Sequence, residues 1–166
     1  MITIDEILKS EVRALSWKAP FAEMMLHGKK ETRVWDTNYR GLVLICCSKA
    51  AFTLEEIKKI SGPEMTDQIL ARVLNEENFD GHAFAIGRLI KTHKMTEFDQ
   101  ETTYVLHKGE RLTEIWVKKH GFEDLKKKPL YVHTYADVRR IVPFAWAGFQ
   151  GWKKLDPFQK MKIKLK

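Results

Sequence analysis

The spacing of apolar positions changes several times along this chain, and each change marks an element. Ile4, Ile7 and Leu8 recur at helical spacing behind Thr3-Ile-Asp-Glu6. That is a capping-box pattern, in which Thr3 accepts a backbone N–H and Glu6 reaches back to the cap. A short helix within residues 1–12, packed on the body, is predicted. Residues 14–17 form an apolar run that stops before Pro20, a residue suited to a helix's first turn. Phe21, Met24 and Met25 then keep helical spacing up to Gly28, a stop signal. Residues 31–35 alternate charged and apolar positions as a strand does, and residues 36–41 read as a turn. Residues 42–47 are continuously apolar, which predicts a strand buried on both faces or one closing a small barrel.

Thr53-Leu-Glu-Glu56 is a second capping box, opening a helix that the Ser61-Gly62-Pro63 breaker ends. A longer helix is predicted over 64–75. Residues 81–91 read as a strand, with Ala83, Ala85, Gly87 and Leu89 on one face and Phe84, Ile86 and Ile90 on the other. The small residues imply close approach of another backbone. Residues 92–107 fit strand or helix, 110–120 a helix ended by Gly121, and 123–129 a charged loop. In 130–142, Tyr131, His133 and Tyr135 alternate with Val132, Thr134 and Ala136, a strand pattern. Residues 143–151 read as an irregular glycine- and aromatic-rich connection, and 160–166 as a lysine-edged strand. These elements predict an α+β domain, a small mixed or antiparallel β-barrel flanked by short helices. A length of 166 residues fits one domain over 1–166, with 156–166 as its basic closing strand or tail.

Composition narrows the setting. Hydrophobic content of 44% argues for a packed globule, not a disordered chain. No apolar run approaches the ~20 residues of a membrane span. The acidic, amphipathic start lacks the features of a secretion signal. Cys46 and Cys47 are neighbours in a strand and point to opposite faces, so they are read as free core thiols in a reducing compartment, which predicts a cytoplasmic protein. The net charge is +7, yet residues 153–166 carry six lysines against one acid, leaving +2 for the other 152 residues. Such a basic end attracts phosphate or simply keeps an edge solvated; charge alone does not separate the two.

Several chemistries find no motif. There is no glycine-rich phosphate loop and no GxSxG elbow, and the six histidines never take metal-ligand spacing, so no cofactor is expected. What remains clusters early. Lys18, Lys29, Lys30, Arg33 and Arg40 lie close in sequence to Glu23, Glu31 and Asp36, a mixture that suggests a polar cleft more than a basic surface. Trp17, Trp35 and Tyr39 are candidates to stack on a base and candidates for core packing, with core packing the preferred reading for Trp17 and Trp35. Asn38 and Gly41 serve turn geometry, which makes Arg40 the more informative member of that turn.

The same residues carry a resemblance. ALSWKAPFA (14–22), GKK (28–30), ETR (31–33), Trp35, TNYRG (37–41) and the apolar strand ending in CSK (47–49) resemble the ASCH domain family of the PUA-like superfamily. The likeness is specific in those residues and loose up to about residue 155. Ala19 stands where the family has Gln, CCS replaces HAS, and the segment between the lysine and Glu31 is two residues short. The resemblance implies a PUA-like β-barrel with a cleft beside the first helix, and RNA or a modified nucleoside or nucleotide as partner. Trp17, Lys18, Trp35, Asn38, Tyr39, Arg40 and Lys49 are the implied binding residues. Some relatives are amidohydrolases acting on acylated cytidine derivatives with a Lys, a Thr and a Glu, residue types that Lys30, Thr32 and Glu31 supply here, although adjacency puts Glu31 on the opposite strand face from the other two; the candidate catalytic residues are Lys30, Glu31 and Arg33. In that alternative Lys30 is base or nucleophile, and Arg33 stabilises the oxyanion. A third alternative is a protein-interaction domain without catalysis.

Overall fold

A computed structural model describes residues 1–28, 31–56, 78–95 and 129–166. Its elements are α1 (Ile4–Lys9), β1 (Val12–Trp17), a 3-10 turn (Glu23–His27), β2 (Glu31–Arg33), β3 (Gly41–Cys47), β4 (His82–Lys94), β5 (Tyr131–Ala145), β6 (Lys153–Lys154) and α2 (Pro157–Met161). The helices predicted over 64–75 and 110–120 and most of 92–107 and of the loop 123–129 lie outside the described residues, as do Lys29 and Lys30.

The strands form one mixed sheet in the order β2-β5-β4-β3-β1-β6. β1 and β3 are parallel, with Val12 opposite Leu42 and Trp17 opposite Cys47; the other pairs are antiparallel. The sheet curls into a half-barrel. Trp35 follows β2 and Trp152 precedes β6, at opposite ends of the strand order, yet their rings meet edge to face at 5.7 Å.

β3 explains why the sheet has two apolar layers. Leu42, Leu44 and Cys46 face a cluster with Val12, Ala14, Ile86, Ile141 and Trp146, under α1. Val43, Ile45 and Cys47 face a second cluster with Leu15, Trp17, Met25, Phe84 and Leu89. The uninterrupted apolar run is therefore a strand buried on both sides, as its pattern requires. The two cysteines are free and divided between the layers.

Four details correct the sequence reading. Period-2 alternation puts Ala83 and Ala85 together, but the β4–β5 register shifts between them, so Ala83 and Ile86 share one layer while Phe84 and Ala85 share the other. The space beside Gly87 is taken by side chains and not a backbone: a Cβ there would lie 2.9 Å from Val138 Cγ2. β5 runs on to Ala145, taking in Pro143, because that proline sits where the β5 register jumps from Arg140 to Phe144 and no ladder donor is needed. Finally, 160–166 is not a strand throughout. Asp156 and Gln159 form a complete capping box with Pro157 in the first turn, which starts α2, and only Leu165 bridges back to Ile141.

Both predicted N-caps form. Thr53 and Glu56 exchange both bonds of their box, at 3.2 and 2.7 Å. Thr3 accepts from Glu6 N–H, but the Glu6 carboxylate turns away to Arg88, which binds it twice, at 2.6 and 3.0 Å. That pair ties α1 to β4. Of the predicted apolar stripe on α1, only Ile7 is buried.

Candidate functional site

The second apolar layer is not purely apolar. β2 brings Glu31 and Arg33, two residues apart and so on one face. β2 pairs with β5 so that Glu31 lies opposite His133. Tyr135, two residues further along β5, shares that face. β1 supplies Trp17, the connection after β2 supplies Trp35 and Tyr39, and the turn before β6 supplies Trp152.

These groups form a continuous set of contacts. Trp17 meets Tyr135 edge to face at 6.2 Å, and Trp35 meets His133 at 5.0 Å. Tyr39 meets Trp152 at 5.5 Å. The Arg33 guanidinium lies 5.1 Å from the Trp17 ring and 5.7 Å from Trp35, held between two indoles. Its Nε is 2.8 Å from Glu31 Oε1, an ion-pair distance without an aligned N–H. Glu31 and His133 are buried, His133 completely.

The polar ends of this set are its most informative feature. Among the described residues, Trp17 Nε1, Trp152 Nε1, Arg33 Nη2, His133 Nδ1 and the Tyr135 hydroxyl are buried and have no hydrogen-bond partner. Each such group costs about 1–3 kcal/mol when left unmade. Buried polar groups are nearly always paired, so five exceptions around one cluster call for an explanation.

His133 can be assigned a protonation state from its contacts. Its Nε2 lies 3.1 Å from the Trp35 carbonyl, which only accepts, so Nε2 carries the proton. Burial pushes its pKa below the usual histidine value. The Trp35 bond, Glu31 and Asp36 oppose that shift, and Arg33 adds to it. The neutral ring then offers Nδ1 as an acceptor. A base whose pKa falls on folding contributes stability that is complete above its unfolded value of about 6.5 and is lost as pH falls toward the folded value. Unfolding free energy should therefore drop below pH ~6.5 with a slope of up to about 1.4 kcal/mol per pH unit. His133→Leu should remove that part of the slope in urea titrations at several pH values; an unchanged profile would refute the assignment.

Among the residues singled out from sequence, the structure gathers Trp17, Glu31, Arg33, Trp35 and Tyr39. Tyr39 is a structural member. Its hydroxyl lies 2.7 Å from the Leu42 carbonyl and 3.1 Å from that of Glu11, and burial with the Glu11 charge pushes its pKa up to about 12. The others are placed elsewhere. Lys18 sets its ammonium over the Phe52 ring, at 4.8 Å. Arg40 binds the Thr37 and Tyr39 carbonyls and Thr92 Oγ1, holding its own turn. Asn38 is exposed, and Lys49 lays its stem along Gly81. Lys30 lies outside the described residues. His133, Tyr135 and Trp152 were not among the sequence candidates. The one sequence signal for His133 and Tyr135 was the Tyr131–His133–Tyr135 alternation, which puts three polar rings on one strand face.

A second cluster lies beside the 3-10 turn. Cys47 Sγ is 3.4 Å from Asp80 Oδ1 and 3.9 Å from Glu23 Oε1, and one donor atom from each residue falls within 4.8 Å of the others. These three could hold a metal ion by proximity. Burial and the two carboxylates hold the thiol pKa well up, so Cys47 keeps its proton and points it at the acids. That hydrogen bonding accounts for the cluster without an ion.

No family model matches the chain, and no curated protein matches it. Among the described residues no helix is long and apolar enough to cross a membrane.

Proposed function

We propose that this chain is an ASCH-type, PUA-like domain that binds RNA or a nucleotide through the Trp17–Arg33–Trp35 cluster. The observation that carries the reading is the set of five buried, unpartnered polar groups between aromatic rings. A base edge offers acceptors to the indole and guanidinium N–H groups and a donor to His133 Nδ1. Its flat face suits the rings, where stacking contributes about 1–3 kcal/mol per base. Phosphate adds a salt-dependent term to which Arg33 contributes. The motif resemblance over residues 14–49 points the same way. The hydrolytic reading has less behind it, because Glu31 is held at ion-pair distance from Arg33.

Mixed RNA and single nucleosides at low salt should quench the tryptophan fluorescence of the wild type. Arg33→Gln should weaken binding of RNA about tenfold or more, in line with a charge-assisted bond worth about 1.5–3 kcal/mol. Absence of quenching by RNA and by all nucleosides at low salt would overturn the proposal.

A further inference from the structure

α2 departs from the rule that a surface helix turns its apolar residues inward. None of its residues is buried. Phe158 and Met161 are three apart and so on one face, and they are 79% and 67% exposed. The helix forms because the Asp156–Gln159 box and Pro157 start it. Leu155 before it and Ile163 after it are buried in the first layer, so the helix is anchored at both ends with its apolar side outward.

α1 extends this surface. The Lys160 ammonium binds the Leu8 and Ser10 carbonyls, which holds α2 against the end of α1. Ile4 and Leu8, one turn apart on α1, are also exposed, while Ile7 is buried beneath. Apolar residues scattered singly over a surface need no explanation, but four gathered on two packed helices do.

The border of this patch is basic. Lys162 is the C-cap of α2. Beyond it the chain lies against β5: Val142 N–H donates to the Lys164 carbonyl, Lys166 N–H donates to that of Arg140, and Leu165 lies opposite Ile141. Ile163 and Leu165 turn inward, which leaves Lys162, Lys164 and Lys166 together on the outward side. None of the three has a carboxylate partner among the described residues. The acids of α1 and its surroundings are engaged: Asp5 by Lys9, Glu11 by Arg13 and Lys154, and Asp156 by the cap of α2.

We infer that the α1–α2 surface docks on an anionic lipid bilayer. Phe158, Met161 and Leu8 enter the boundary between headgroups and acyl chains, and Lys162, Lys164 and Lys166 meet the anionic headgroups around them. A helix with no buried residue stands out from the body, which suits insertion into a deformable medium more than the matched surface a protein partner requires. Both helices pack on the first layer and the cleft lies in the second, so this inference is independent of what the cleft binds.

The test is co-sedimentation with vesicles of phosphatidylcholine alone and of phosphatidylcholine mixed with phosphatidylserine. Wild type is compared with the double variants Phe158→Ser with Met161→Ser and Lys162→Gln with Lys164→Gln. All four positions are exposed, and thermal unfolding checks that the variants fold. Wild type should bind the mixed vesicles more tightly than the neutral ones, and less tightly as salt rises. The serine pair should weaken partitioning about tenfold or more. The glutamine pair should weaken it about fivefold for each lysine replaced. Vesicle binding indifferent to the serine pair would overturn the insertion and leave only adsorption of charge. Absence of vesicle binding would overturn the inference outright. If light scattering then showed self-association that the serine pair abolished, the patch would belong to a second copy of the chain. RNA that displaces the vesicles, with the glutamine pair losing RNA and the serine pair losing nothing, would overturn it in favour of a nucleic-acid surface.

Discussion

Glu31→Ala is expected to cost about 3–5 kcal/mol of folding stability, the loss seen when one partner of a buried ion pair is removed. The Glu31 side chain is only 5% exposed and that of Arg33 22%, so neither charge can turn fully to water. Without the carboxylate, the guanidinium between Trp17 and Trp35 loses the counter-charge that lies 2.8 Å from its Nε. Coulomb energy at such short range is many-fold larger in a low-dielectric layer than in water. The apolar double replacement Glu31→Leu with Arg33→Met should bring stability back to within about 1 kcal/mol of wild type, because two desolvated charges are removed together. The same double variant should lose RNA binding altogether. Urea midpoints together with fluorescence titrations measure both effects. A single-variant loss below about 1 kcal/mol would mean that the pair is solvated and not the buried ion pair described.

This pair also shows which parts of the site could be read from sequence. Trp17, Glu31, Arg33 and Trp35 were legible because they crowd one short stretch, and their mixture of charge and aromatic character fits neither a plain core nor a plain surface. Their partners were not. His133 and Tyr135 reach the site only through the pairing of β2 with β5, a register set by strands about a hundred residues apart, and local spacing carries no information about it. Trp152 arrives because the sheet curls, a property of accumulated twist and bulges and not of any one residue. Arg40 illustrates the opposite limit. An arginine in a turn has the residue type for a phosphate contact, but the nearest acceptors were its own turn's carbonyls, and it binds those.

The fold follows the same division. β3 was legible because a strand buried on both faces has nowhere to place a polar residue. The face assignments on β4 failed at the shift between Ala83 and Ala85, since one inserted step reverses every later side chain. The closing segment kept its inward Ile163 and Leu165, as the alternation required, yet opened as a helix because the Asp156–Gln159 box and Pro157 act locally and strongly.

Trp17 carries the second large effect, and its two substitutions should separate packing from recognition. Trp17 is 5% exposed and meets Tyr135 and Arg33. Trp17→Ala removes one of the layer's three indoles and should cost about 3–5 kcal/mol, the range for a buried aromatic truncated to alanine. Trp17→Phe is different. It keeps most of the buried ring but deletes an N–H that has no partner within the fold. Two terms then oppose each other: a small void destabilises, while removal of an unmet donor relieves a penalty of about 1–3 kcal/mol. Trp17→Phe should therefore stay within about 1 kcal/mol of wild type, or exceed it. Binding should still fall about tenfold, because the bound base loses one hydrogen bond. A phenylalanine variant that is both destabilised by several kcal/mol and unaltered in RNA affinity would show that Nε1 is satisfied inside the fold and that Trp17 is core alone. Unchanged stability with weakened binding would place its N–H at the contact with the base.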